Sequence, residues 1–204
     1  MELSPSIYEH AAAVIGRTPW EVSRDEGLLF ESHAAALLHL IEGQVSFAEE
    51  IKRRGLDVAF FESAACPPLL SPAMFHSVEL PALSAAMARM GAVLGRPIPC
   101  IIGGNTAPIL DAILETGTGY VAAPHETDQT AFMEKIRDRT DVRVRINMDV
   151  EVISRGSWER IRAEADRVVR LAEGRENVCL GTGALPYETV PENVLRLREY
   201  VEAI

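Results

Sequence analysis

Short apolar runs alternate with amphipathic helical segments over most of this chain, and this alternation restricts the fold more than any other feature. The apolar runs span residues 57–62, 98–102, 119–123, 142–148 and 177–181. The helical segments between and after them lie near 45–54, 72–94, 107–115, 128–139, 157–173 and 191–203. A β/α repeat predicts a parallel sheet with right-handed crossovers. A closed barrel needs eight strands and about 250 residues, so the pattern leaves two alternatives, an open sheet and an incomplete barrel.

The first 45 or so residues contain no strand-like run and are predicted to be helical. Thr18 and Glu21 have the spacing of a capping box, with a proline between them. Ser23 and Glu26 form a second predicted box before a broad apolar helix face over Leu28–Ile41. We therefore expect a single domain over 1–204, with a helical arm at 1–44 and the β/α part at 45–204.

Charge and composition exclude several classes of partner. The formal net charge is −10, whereas nucleic acids and anionic membranes need a basic face. No apolar run approaches the roughly 18 residues of a membrane span, and the N-terminus lacks a signal-peptide pattern. We expect a cytoplasmic protein with no nucleic-acid or membrane partner. Its three cysteines, Cys66, Cys100 and Cys179, are too scattered to converge on a metal and are predicted to be free thiols.

Polar side chains follow the predicted strands, where β/α proteins bind their ligands. The candidate substrate-binding residues are Glu62, Ser63, Asn105, His125, Asp128, Asn147, Asp149 and Thr182. Several of these segments have a structural alternative: Glu62 and Ser63 can form a polar rim that caps the following loop, and Thr106, Thr127 or Asp128 can cap the following helix. The glycine-flanked Thr182 can hold an anion or simply form a tight turn.

The segment after the third strand is the richest in polar side chains. His125, Glu126 and Asp128 are able to bind a metal or to act as acid and base. The alternative is that Asp128 or its neighbour caps a helix while His125 lies in solvent. The sequence does not identify the catalytic residues.

Five stretches also carry motifs in a fixed order along the chain. They are IGRTPWEVSRDEGLLFESHAAALL (15–38), FFESAACPPLLSPAMFHSVELPAL (60–83), GGNTAPILDAILETG (103–117), NMDV (147–150) and GTGALPYETVPENVLRLREYV (181–201). The last four resemble the LSPxxF…LP, CGNTxPxLDxxxETG, GNxD and G(T/H)G…TPPENV motifs of the uroporphyrinogen decarboxylase superfamily. The first stretch resembles the opening helices of its cobalamin-dependent methyltransferase branch. The resemblance covers most of the chain and implies a TIM-type barrel.

The departures from the family pattern shape the expected function. Between Leu40 and Ser46 the family has a long further segment with its first strands, and this chain lacks it. The resemblance therefore implies an α/β fold, an incomplete TIM-type (β/α) barrel of about five parallel strands with an N-terminal helical arm. The missing segment also carries the arginine-rich loop and essential aspartate of the decarboxylases, and Thr182 replaces their GHG histidine. We expect no porphyrinogen decarboxylation.

The zinc ligands of the methyltransferase branch are absent as well. The resemblance places them at Ile101, Gly103 and Ala184, none of which can bind zinc. We expect no bound metal and no tightly bound cofactor. The implied function is that of a corrinoid-linked methyltransferase relative, with a small ligand at the strand ends and a corrinoid (cobalamin) supplied by a partner protein. The alternative is a non-catalytic, partner-binding subunit, and a decarboxylase is the weaker alternative, so enzymatic activity stays open.

A partial barrel is expected to associate with another chain. Two open sheet edges invite pairing. Removal of barrel strands also uncovers Val58, Phe60, Ile102 and Val144 if they point inward. We expect a homodimer or a complex with a related chain.

Overall fold

The computed structural model describes residues 5–62 and 65–203, and it has the predicted alternation of strands and helices. The helices are α1 (Pro5–Ile15), α2 (Pro19–Arg24), α3 (Glu26–Arg53), α4 (Pro72–Met74), α5 (Leu80–Leu94), α6 (Leu110–Glu115), α7 (Gln129–Lys135), α8 (Val150–Arg155), α9 (Trp158–Ala172) and α10 (Pro191–Glu202). A π-helical turn, Phe75–Glu79, joins α4 to α5, and a 3₁₀ turn, Ala107–Ile109, precedes α6. The strands are β1 (Phe60–Glu62), β2 (Cys100–Ile102), β3 (Tyr120–Ala123), β4 (Arg143–Met148) and β5 (Val178–Thr182).

The chain divides into two compact units. The first comprises the described residues up to Phe60 together with Leu70–Ile98 and Asp111–Thr118. The second comprises Phe61–Leu69, Pro99–Leu110 and the described residues from Gly119 onward. The candidate ligand-binding residues that the structure describes belong to the second unit.

The first unit is helical, and its helix starts follow the sequence signals only in part. The Thr18 capping box is confirmed: its hydroxyl accepts the Glu21 N–H at 3.3 Å, and the Glu21 carboxylate accepts the Thr18 N–H at 2.8 Å. The second predicted box is wrong. Ser23 lies in α2 and donates to the Trp20 carbonyl, and the N-cap of α3 is Asp25.

Helix α3 runs without a break from Glu26 to Arg53, so the predicted end of the arm at 44 lies inside it. It packs against α5, where the Arg89 guanidinium holds the Glu42 carboxylate through two hydrogen bonds of 2.6 and 2.9 Å. None of the helices within 5–62 and 65–203 has the length and apolar character that crossing a membrane requires.

Apart from Phe60 at the start of β1, the strands lie in the second unit, and all five overlap the predicted apolar runs. Strands β3, β4 and β5 form a parallel three-stranded sheet in that order, and β1 pairs with β2 in a separate two-stranded sheet. In the register of the larger sheet, Val144 lies between Val121 and Val178. The α/β class with parallel strands is therefore confirmed.

The two faces of the β3–β4–β5 sheet differ in character. One face carries Val121, Ala123, Val144 and Ile146, which are at most 1% exposed. Helices α7 and α9 contact these strands and contribute buried apolar side chains of their own, including Phe132, Ile161, Ala165 and Val168. Val144, whose exposure by the missing barrel strands depended on its pointing inward, is fully buried on this face. The opposite face, here called the polar face, carries Tyr120, Arg143, Arg145, Asn147, Cys179 and Gly181.

Candidate functional site

The loop after β2 is built around a close contact with a cysteine. Gly104 has a φ of +78°, and a Cβ at this position would lie 2.6 Å from Cys66 Sγ. A side chain at residue 104 would therefore be both strained and blocked. Cys66 is buried and lies beside this loop, whereas Cys100 and Cys179 lie within β2 and β5.

Asn105 is tied to the loop after β3 by a threonine hydroxyl. The Thr127 hydroxyl donates to Asn105 Oδ1 at 3.0 Å and accepts the Ala107 N–H at 2.8 Å. Thr127 is buried, and it connects two loops instead of capping a helix. Nearby Thr106 is fully buried, and its Oγ1 has no hydrogen-bond partner among the described residues.

The polar segment after β3 is mainly a helix start. Asp128 caps α7 by accepting the Ala131 N–H at 3.0 Å, as the structural alternative predicted. His125 is partly buried, not fully in solvent, and its Nδ1 lies 3.1 Å from the Glu126 carboxylate. Over the described ranges, no three His, Cys, Asp or Glu side chains converge as a metal site would require.

The end of β4 places Asn147 and Asp149 in different roles. Asn147 is 5% exposed and lies on the polar face, and its Oδ1 has no hydrogen-bond partner in the described structure. Asp149 caps the short helix α8 and accepts the N–H groups of Glu151 at 2.8 Å and Val152 at 3.3 Å. Helix α8 was not predicted, and it gives Asp149 a structural role.

A buried glutamine connects the carboxyl ends of β3 and β4. Gln129 Nε2 donates to the Ala123 carbonyl at 2.9 Å and to the Asn147 carbonyl at 2.7 Å. Its Oε1 accepts a hydrogen bond of 2.9 Å from Arg167, which also binds Glu164. Gln129 therefore fixes both strand ends, and α9 in turn fixes Gln129.

Glu164 completes this network. Its Oε1 accepts the Asp149 N–H at 2.9 Å. Burial opposes ionisation, but the hydrogen bonds from Arg167 and from the Asp149 N–H prevail and lower the pKa of Glu164. The carboxylate likewise raises the pKa of Arg167. Sequence reasoning missed Gln129, Glu164 and Arg167; the i,i+3 spacing of the ion pair was visible, but its contacts with the strand ends arise only in the fold.

The remaining candidates are more scattered. Glu62 ends β1 and is partly buried, and Ser63 lies outside the described residues. Thr182 ends β5 opposite Met148, so it shares the helix-covered face and not the face of Asn147. The structure thus links Asn105 to the β3 loop, and it links Asn147 and Asp149 to each other through the Gln129 network.

The polar face also brings together residues that were not among the predicted ligand-binding residues, namely Tyr120, Arg145, Cys179 and Gly181. A Cβ on Gly181 would lie 2.7 Å from Arg145 Cδ and 3.2 Å from Asn147 Oδ1, so the Arg145 side chain lies across this glycine. Arg145 Nε is buried without a hydrogen-bond partner among the described residues. The Tyr120 hydroxyl is 4.0 Å from Cys179 Sγ, and burial, with the nearby thiol, raises the pKa of Tyr120.

Comparison with known proteins agrees with this fold. The family model "Uroporphyrinogen decarboxylase (URO-D)" matches residues 30–204. A solved methyltransferase structure from Methanosarcina mazei superposes with a TM-score of 0.66 at 21% sequence identity, over 88% of this chain and 50% of that one. The chain therefore spans half the length of that structure, and a likeness at this identity concerns the fold. No curated protein sequence matches the chain.

Proposed function

Because this chain belongs to the uroporphyrinogen decarboxylase family, we propose that it is a relative of the corrinoid-linked methyltransferases that binds a small ligand without zinc. The observation that carries the proposal is a pair of buried oxygens near the carboxyl ends of β2 and β4. Thr106 Oγ1 and Asn147 Oδ1 lack hydrogen-bond partners among the described residues. A buried polar atom left unpaired costs about 1–3 kcal/mol, and a ligand that pairs with it offsets this cost.

The donor set does not fit the zinc of the methyltransferase branch. The matching positions are Ile101, Gly103 and Ala184, and zinc requires thiolate, imidazole or carboxylate ligands. We assign no step to zinc. A corrinoid carried by a partner protein would supply or accept the methyl group. This chain would bind and orient the other reactant through Asn105, Asn147 and the loops that Gln129 holds in place.

We further propose that the five strands form part of an incomplete barrel, with a second chain covering its open edges. In their sheet, β3 and β5 each pair only with β4 among the described strands. The second candidate function, a non-catalytic subunit, is favoured by the missing zinc ligands at Ile101, Gly103 and Ala184. In either case we expect a homodimer or a complex with a related chain, and light scattering over a protein concentration series measures this.

The proposal is tested by methyl transfer from methylcobalamin to a small thiol such as 2-mercaptoethanol, followed by visible absorbance. We expect a protein-dependent rate that falls at least about tenfold in Asn105→Ala, the effect of losing about 1.4 kcal/mol of transition-state stabilisation. Gln44→Ala, an exposed position on α3, is the control and should retain the rate. A rate equal to the protein-free background would reject the catalytic proposal and favour the non-catalytic subunit.

A further inference from the structure

We infer that the polar face of the β3–β4–β5 sheet binds a small carboxylate that bears a neighbouring hydroxyl, with Arg145 as the main ligand-binding residue and Asn147 as the second. This inference rests on the proposed ligand site at the strand ends, and it names the chemical class of the ligand.

The placement of Arg145 directs its side chain towards the strand ends. In the sheet register, Arg145 lies opposite Cys179, whereas Asn147 lies opposite Gly181, two residues closer to the carboxyl end. Yet the atoms nearest to a Cβ on Gly181 are Arg145 Cδ at 2.7 Å and Cγ at 2.9 Å. The arginine stem therefore extends from its own row to the row of Asn147. Gly181 leaves the space that the arginine occupies.

The charge of Arg145 lacks a carboxylate partner within the described residues. Other arginines of the second unit have one, such as Arg139 with Asp141 and Arg198 with Glu202. Arg175 instead donates to the carbonyls of several residues around the end of α7. A partly buried guanidinium without an anion is costly. Its planar N–H fork matches a carboxylate, so an anionic ligand would satisfy it.

The neighbours of Arg145 define the rest of the ligand. Tyr120 lies within reach of the Arg145 side chain, and burial raises the pKa of its phenol, which is already neutral at pH 7. It is thus compatible with a bound carboxylate. Asn147 Oδ1 is buried, unpartnered and within 3.2 Å of the same Gly181 Cβ position that Arg145 Cδ approaches. An amide oxygen accepts hydrogen bonds, so the ligand needs a donor beside its carboxylate, which a hydroxyl provides.

The test uses NMR of ¹⁵N-labelled protein and three probes, acetate, glycolate and inorganic phosphate, titrated against chloride at constant ionic strength. We expect saturable shifts of the Arg145 Nε–H and Gly181 amide signals with glycolate and acetate. Glycolate should bind at least about threefold more tightly than acetate, because one additional hydrogen bond is worth about 0.5–1.5 kcal/mol. Phosphate should bind more weakly than glycolate.

Variants separate this site from general charge effects. Arg145→Met should abolish the Gly181 response. Arg143→Met removes an exposed arginine from the same strand and face and should retain it. Gly181→Ala should weaken glycolate binding at least about threefold, read at the Arg145 Nε–H, because the added methyl displaces the arginine. Asn147→Ser shortens the amide side chain and should bring the glycolate affinity close to that of acetate.

Several outcomes would overturn the inference. These are no saturable response, equal responses in the Arg143→Met and Arg145→Met proteins, and tighter binding of phosphate than of glycolate. A signal of Arg145 that changes with protein concentration and not with the probes would show that a second chain supplies the carboxylate, which also rejects a small ligand here. The titration contains no corrinoid and no thiol, so its result is independent of whether methyl transfer is observed.

Discussion

The two faces of strand β4 differ in burial and polarity, although their residues alternate along one strand of six residues. Val144, Ile146 and Met148 are at most 4% exposed and lie under the helices, whereas Arg143 and Arg145 alternate with them on the other face. The sequences of parallel strands that are covered by helices on both faces are typically continuous apolar runs. The alternation in β4 therefore separates a face that stabilises the fold from a face that is available to a ligand.

The largest expected difference between the faces is in stability. Ile146→Ala should lower the free energy of unfolding by about 2–5 kcal/mol, because it removes buried methyl groups and leaves a cavity under the helices. Arg145→Met should change it by about 1 kcal/mol or less, since a partly buried charge without an anion is replaced by an apolar chain. Urea denaturation measures both values.

One matched variant controls for the loss of an arginine from β4. Arg143→Met, at an exposed position of the same strand, should be close to neutral. If Arg145→Met destabilised the protein as much as Ile146→Ala does, the polar face would be a second core and the ligand inference would lose its basis.

The second prediction concerns the carboxyl ends of the strands. Gln129→Ala removes the two hydrogen bonds to the carbonyls of Ala123 and Asn147 and leaves Arg167 with one partner fewer. We expect a loss of about 1–3 kcal/mol in unfolding free energy, since these carbonyls are left without their donor. Hydrogen exchange should also accelerate at the ends of β3 and β4 before it does so at the buried centre of the sheet.

Gln44→Ala is the control for this change, because it removes the same side chain from an exposed position of α3. It should leave stability within about 0.5 kcal/mol of the wild type. Equal stability of the Gln129→Ala protein would mean that the strand ends are held by the sheet hydrogen bonds alone.

The third prediction addresses the link between the loops after β2 and β3. Thr127→Val keeps the size of the side chain but removes the hydroxyl that joins Asn105 to the Ala107 N–H. We expect a loss of about 1 kcal/mol in unfolding free energy. Thr127→Ser keeps the hydroxyl and should lose less. A valine variant as stable as the serine variant would show that this link does not hold the loops.

The sequence was sufficient to predict the strands, but not to predict the hydrogen-bond network of Gln129, Glu164 and Arg167 at their carboxyl ends. The five apolar runs predicted β1–β5, and the chain motifs predicted the family. Helix α8 was missed because its six residues are too few for a periodic pattern. Its N-cap, Asp149, therefore appeared to be a free polar residue. Gln129 was missed because its two acceptors are main-chain carbonyls, which no side-chain pattern reveals.

The polar face, by contrast, had a visible signal. Val-Arg-Val-Arg-Ile-Asn-Met over residues 142–148 alternates strictly, which is typical of a half-buried strand. This alternation predicts that Arg145 and Asn147 share a face, and it also predicts that Val144 belongs to the opposite one.

The smallest expected effect is a pH dependence that Glu164 gives to the helix-covered side of the sheet. Its carboxylate is 11% exposed, and it accepts hydrogen bonds from Arg167 and from the Asp149 N–H. Its pKa is lowered in the folded protein, with the nearby Asp149 carboxylate as an opposing influence. A lowered folded pKa contributes stability above the unfolded pKa, and this stability is lost as the pH falls through the folded pKa.

Glu164→Gln should therefore be less stable than the wild type at pH 7, and the difference should shrink as the pH falls below about 4, near the ordinary glutamate pKa. Arg167 is 42% exposed, so solvent screening keeps the difference at pH 7 to about 0.2–1 kcal/mol. Glutamine retains an oxygen for the Asp149 N–H but loses the acceptor of the Arg167 Nε–H, so the variant tests the ion pair with Arg167 and not the Asp149 hydrogen bond. Glu151→Gln, whose partner Arg155 is 71% exposed, is the matched control and should be pH-independent relative to the wild type. A Glu164→Gln difference that stays constant from pH 7 to pH 3 would show that geometry alone, and not the ionised carboxylate, holds the start of α8 against α9.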